Sequence, residues 1–215
     1  MSVAPARRRK APTTGHVCNH PSIGETMTSA PRLAHIVLQT NRLHEMREWY
    51  RKVLGARIAF ENPVMCFLTT DEEHHRVALF GPPGGGLPER TPITVGLAHS
   101  AFTFESLGDL VDKYLELKAE GIEPRVPVQH GVTTSMYYRD PDGNMVELQI
   151  DNFATADEAT DYMRGEEYTT DSIGPSFDAA ALAKAYKAGA APDELITRRW
   201  AQQSPQVNVM ELLTT

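Results

Sequence analysis

Apolar positions fall into two matched series along the chain. Residues 33–40 read LAHIVLQT and residues 97–104 read LAHSAFTF, both strand-like and 64 residues apart. Each run is followed by apolar side chains at helical spacing. In the first series these are Leu43, Met46, Trp49, Tyr50, Val53 and Leu54; in the second, Leu107, Leu110, Val111, Tyr114 and Leu115. Asn41 and Ser106 are the expected N-caps, with Gly55 and Gly121 as the stops. Three short strand-like runs then follow each helix: RIAFE, VMCFLTT and HRVALF, and later EPRVPVQ, TTSMYYRD and NMVELQI.

The chain thus reads β-α-β-β-β twice, as modules at about 33–80 and 95–150 of a domain spanning 31–150, joined by the linker GPPGGGLPERTP (81–92). One such unit cannot cover its own apolar sheet face, so the two are expected to pair. The expected fold class is α+β, with two paired βαβββ modules. Residues 151–215 change pattern. TADEATDYM, SFDAAALAKAYKAG and PDELITRRW read as short helices of a C-terminal extension packed on the sheet or on a second subunit.

Charge narrows the partners. Residues 1–26 carry +3 through Arg7, Arg8, Arg9 and Lys10 against Glu25, and the remainder carries −10. An acidic body argues against nucleic acid or an anionic membrane as the main partner. Residues 1–30, rich in Pro, Ser, Thr and Gly around ARRRK, are expected to be a disordered extension. With no apolar run of about 18 residues, no membrane span is expected. Cys18 and Cys66 have no paired spacing, so neither a disulfide framework nor a zinc knuckle is expected, and the compartment is a reducing cytoplasm.

The repeat places His35 and His99 at equivalent points of two strands, which a pseudo-twofold pairing would bring together. Glu147 stands in the middle of the apolar run NMVELQI, where a carboxylate is costly unless paired or metal-bound. Two histidines and a carboxylate on one face of a metal match the facial triad of non-haem Fe(II) oxygenases. By the repeat, RVALF matches MVELQ, and Val77, Ala78, Leu79 and Phe80 offer no fourth ligand.

At these residues the sequence resembles the vicinal oxygen chelate superfamily, and within it the type I extradiol ring-cleaving dioxygenases; the resemblance implies that the paired modules form one half-open barrel around a metal site. The specific stretch is VQHGVTTSMYYRDPDGNMVE (128–147), with its spacing of His130, Tyr137, Pro141-Asp142-Gly143 and Glu147. The resemblance implies that His35, His99 and Glu147 hold Fe(II), although the same ligand set would admit Mn(II). It implies that His130 and Tyr137 hydrogen-bond the bound substrate, and that a catechol-type molecule and O2 are consumed to give a hydroxy-semialdehyde acid. A homodimer is expected from base rate alone.

The family also carries an acid-base histidine in a form like HHRVALF (74–80), and its alignment points to His75. Strict alternation from Ala78 instead puts His74 on the ligand face, unless a bulge intervenes. Two rival readings share the fold. One is a glyoxalase, epimerase or thiol transferase, which often needs a fourth carboxylate in the first module. The other is a ligand-sequestering resistance module without a metal triad.

Overall fold

The first module opens with β1 (Ile36–Gln39), α1 (Leu43–Leu54), β2 (Arg57–Asn62), β3 (Met65–Thr69) and β4 (Val77–Phe80). The second repeats the order with β5 (His99–Thr103), α2 (Leu107–Ala119), β6 (Val126–Gln129), β7 (Thr133–Arg139) and β8 (Met145–Asp151). This computed structural model describes residues 30–91 and 94–214, and residues 34 onward form one compact unit. The extension expected over residues 1–30 therefore lies almost wholly outside the described residues. None of their helices is long and apolar enough to cross a membrane.

Each module builds one mixed sheet, ordered β1-β4-β3-β2 and β5-β8-β7-β6. The first and last strands of each module run parallel and the others antiparallel. The two sheets do not close into a barrel. Their registers repeat the sequence symmetry. Ala78 on β4 pairs with Val37 on β1 and Phe67 on β3, just as Glu147 on β8 pairs with Ala101 on β5 and Tyr137 on β7. Ala78 is thus the positional counterpart of Glu147.

Alternation divides each sheet into two faces. Cys66, Leu68, Val77 and Leu79 of the first sheet and Met136, Tyr138, Val146, Leu148 and Ile150 of the second enter one shared core. Met46, Tyr50 and Val53 of α1, with Leu107, Leu110, Val111, Tyr114 and Leu117 of α2, complete it. Burying each large aliphatic side chain stabilises the fold by roughly 1.5–3 kcal/mol. A buried polar link between the modules is Tyr50, whose hydroxyl donates to Asp140 Oδ2 at 3.1 Å.

The helix ends follow local chemistry. Ser106 caps α2 by accepting from Asp109 N, and Gly55 ends α1 in the left-handed region at φ 64°. The expected cap at Asn41 is not formed. Arg42 occupies the N-cap position without a side-chain cap, and the Asn41 amide instead exchanges hydrogen bonds with the backbone of Leu87, at 2.8 and 3.1 Å. The linker backbone takes the polar group that the helix start would otherwise use.

After β8 come α3 (Ala156–Met163), α4 (Glu166–Thr170), α5 (Ala179–Lys187), α6 (Pro192–Leu195), α7 (Arg198–Ala201) and α8 (Val209–Thr214). This segment wraps the second sheet. Leu182, Ala183, Leu195 and Ala201 join the shared core, whereas Ile173, Val209, Leu212 and Leu213 pack on the opposite face against Val126, Val128 and Tyr137. Between the two, residues 175–177 run along the edge of β6. Gln129 N donates to Pro175 O, Phe177 N donates to Pro127 O, and Ser176 bridges Val128. The open edge is sealed in this way.

Candidate active site

The face opposite the core carries the chemistry. On the second sheet, cross-strand register puts Ala101, Glu147 and Tyr137 in one row, with His99 two residues before Ala101 on the same face. Glu147 is 4% exposed. His99 Nε2 lies 3.1 Å from its Oε2, and the His99 ring stands edge-on to Tyr137 at 5.5 Å. Burial alone would push the Glu147 carboxyl up, but hydrogen bonds from His99 and Ser135, with the charge of His99, hold it below the ordinary carboxylate range. The same hydrogen bond raises His99 against its partial desolvation.

Tyr137 and His130 form the next pair. His130 lies just past β6, with its Nδ1 2.6 Å from the carbonyl of Ile173 and its Nε2 2.9 Å from the Tyr137 hydroxyl. A carbonyl only accepts, so Nδ1 carries the proton. Burial holds His130 below the usual histidine range, favouring the neutral ring, whose Nε2 then accepts from Tyr137. Burial, and then the charge of Glu147, push the Tyr137 phenol well up, so it remains a donor at all ordinary pH.

The loop behind His130 is built to stay still. Gln129 Nε2 donates to Thr134 Oγ1, Thr134 Oγ1 donates to Asn152 Oδ1, and Asn152 Nδ2 donates to both Gln129 Oε1 and Gly131 O, all within 2.7–2.9 Å. Gly174, at φ +85°, lets the C-terminal chain close on it, since a Cβ there would stand 2.1 Å from Gln129 O.

The first sheet supplies a second group. The His75 ring stacks on Phe67 at 4.5 Å and lies 4.2 Å from the His35 ring. His75 is 8% exposed, while the His74 side chain is 70% exposed and touches His75 through an Nδ1–Nδ1 contact of 2.6 Å. Alternation from Ala78 had favoured His74 as the inward residue. The structure places His75 inward because the regular strand begins only at Val77, and the irregular chain before it need not alternate. Burial, then the charges of His35 and His74, lower His75 from the usual histidine value.

Two of the three expected metal ligands, His99 and Glu147, are therefore in contact, and His35 stands instead with His74 and His75. Among the described residues, no group of three or more His, Cys, Asp or Glu side chains is gathered closely enough to hold a metal ion. The donors nonetheless fit a divalent cation: a buried carboxylate facing an imidazole nitrogen is a pairing of hard oxygen and borderline nitrogen suited to iron or manganese. Asp140 is buried but serves the turn. It accepts from Asp142 N, Asn144 N and Asn144 Nδ2. His44 is exposed on α1.

Sequence reasoning missed Phe67, Ser135, Ile173 and Arg198. Phe67 was detectable as the repeat counterpart of Tyr137. The last two act across long chain separations and leave no local pattern.

Comparisons with known proteins bear on the whole arrangement. Residues 32–148 match the family model of the Glyoxalase/Bleomycin resistance protein/Dioxygenase superfamily. Over 189 residues the chain is 75% identical to biphenyl-2,3-diol 1,2-dioxygenase 3 of Rhodococcus globerulus, covering 88% of this chain and 100% of that protein. It is 54% identical to biphenyl-2,3-diol 1,2-dioxygenase 2 of the same organism over 178 residues, 83% of this chain and 93% of that one. Among solved structures it is similar to a lactoylglutathione lyase from Agrobacterium tumefaciens, at 22% identity over 57% of this chain and 96% of that chain, with a TM-score of 0.46.

Proposed function

Because this chain belongs to the Glyoxalase/Bleomycin resistance protein/Dioxygenase superfamily, we propose how its site works: as an Fe(II)-dependent extradiol dioxygenase acting on an aryl-substituted catechol, in the cytoplasm. It is an extradiol ring-cleavage dioxygenase, and its substrate class is catechol-type diols with O2. The observation that carries the finer reading is the contact of buried Glu147 with His99, flanked by the Tyr137–His130 pair.

His35, His99 and Glu147 would hold the iron. Bound there, the ion would supply the means to bring an electron-rich diol and dioxygen together. The protein's own groups handle protons and charge. Tyr137 keeps its proton and, turning its hydroxyl away from His130 Nε2, donates to substrate oxygen where negative charge develops. His130, neutral and fixed by Ile173, accepts from that hydroxyl before then and holds the phenol in place. His75 is the acid-base: buried between Phe67 and His35 and lowered from the usual histidine value, it is neutral at pH 7, able to take a proton from a diol hydroxyl and return it to the departing oxygen. The phenyl ring named for the relatives' substrate suggests that the occupant is larger than catechol itself.

A glyoxalase-type reading is less well supported. Ala78, only 3% exposed, stands where the first module would have to present a fourth carboxylate. The deciding experiment measures oxygen uptake by anaerobically iron-loaded protein with a panel of mono- and biaryl catechols. A yellow ring-opened product from one of them supports the reading; metal binding without oxygen consumption on any diol would sink it.

A further inference from the structure

The C-terminal segment holds a buried cation with no close counter-ion. The Arg198 side chain is 6% exposed, and its nearest carboxylate, Asp171, stands 3.9 Å away. Its Nε is buried without a hydrogen-bond partner among the described residues. The guanidinium stands beside the adjacent rings of Tyr162 and Tyr168, at 6.0 and 5.8 Å from their centroids. A buried charge held this loosely by its counter-ion costs stability. Its short, directed contact is elsewhere: NH2 donates to the backbone carbonyl of His130 at 2.6 Å, 68 residues away in sequence.

His130 is thereby gripped from two points of the same segment. Arg198 fixes its carbonyl, and Ile173 O fixes its ring through Nδ1. Tyr162 closes the approach: its hydroxyl stands so near Gly131 that a Cβ there would lie 2.2 Å from it. The segment therefore reaches His130 through the Arg198 guanidinium and the Ile173 carbonyl.

We infer that Arg198 is a positioning residue that holds His130 against Tyr137, so that the C-terminal segment is a working part of the active site. The inference rests on the catalytic role given to His130 above. Losing the guanidinium frees the His130 carbonyl and lets the loop shift, which misaims Nε2 and the Tyr137 hydroxyl. Small misplacements of this kind cost roughly 10- to 100-fold in rate.

The test is a double-mutant cycle on iron-loaded, full-length protein, with kcat and KM measured for a diol that the enzyme turns over. Arg198→Gln is expected to lower kcat about 10- to 100-fold with little change in KM. In the His130→Ala background, the same substitution is expected to change kcat less than about twofold, because the group it positions is already gone. A full, multiplicative loss in that background overturns the inference and makes Arg198 purely structural. If His130→Ala by itself retains full kcat, the catalytic role of His130 fails instead, and the positioning role falls with it. Should Arg198→Gln not fold, Arg198→Lys, which keeps a buried cation and one donor, is carried through the same two backgrounds. A partial loss confined to the background that retains His130 supports the inference; equal losses in both overturn it.

Discussion

His99 Nε2 lies 3.1 Å from Glu147 Oε2, with one side chain 41% exposed and the other 5% exposed. The pair places a nearly dry carboxylate beside an imidazole that solvent and ligands can reach. Removing the carboxylate should remove metal binding rather than just weaken catalysis. Glu147→Ala, reconstituted anaerobically and analysed by metal emission, is expected to fall from about one iron per chain to a small fraction of that. His35→Ala is expected to do the same, and retention of full iron by that variant would remove His35 from the ligand set.

The two adjacent histidines of the first module should separate cleanly. His75→Ala is expected to keep its iron and lose roughly 10²- to 10⁴-fold in kcat, the usual contribution of a positioned acid-base group. His74→Ala, at an exposed side chain, is expected to lose far less. Steady-state oxygen uptake on the two variants at equal iron content decides between them.

Protonation of His130 should destabilise the fold in acid. Its folded value lies below the ordinary 6.5 because burial disfavours the charged ring. As pH falls below 6.5, the unfolded chain takes up the proton first, so stability declines through the interval down to the depressed value and then levels off. Melting temperature against pH, compared between the native chain and His130→Gln, should fall more steeply on the acid side where the histidine is present.

Tyr50 tests the link between the modules. Tyr50→Phe removes the 3.1 Å bond to Asp140, which burial already holds above the usual carboxylate range against its four donors. The expected loss is about 0.5–1.5 kcal/mol in denaturant unfolding, as for a typical buried hydrogen bond. An unchanged unfolding midpoint would show that Asn144 and the turn amides suffice for Asp140.

Gly174→Ala should be more disruptive than its size suggests. The residue sits at φ +85°, and the added Cβ would meet Gln129 O at 2.1 Å. A loss of more than about 1 kcal/mol is expected. Because Ile173 O holds the His130 ring, kcat should fall along with the melting temperature.

The sequence by itself determined the repeated β-α-β-β-β order and the equivalence of His35 with His99. These depend on local periodicity and on matched spacing, and both are written in consecutive residues. The turn after β7 is equally local, because Asp140 binds its own neighbours. Only the tertiary structure decided which of His74 and His75 faces inward, because strand alternation stops before Val77 and a two-residue period says nothing about irregular chain. Only the fold could reveal Arg198 and Ile173 at His130. Those contacts span 68 and 43 residues and end on backbone carbonyls, groups that every residue possesses and no sequence pattern marks.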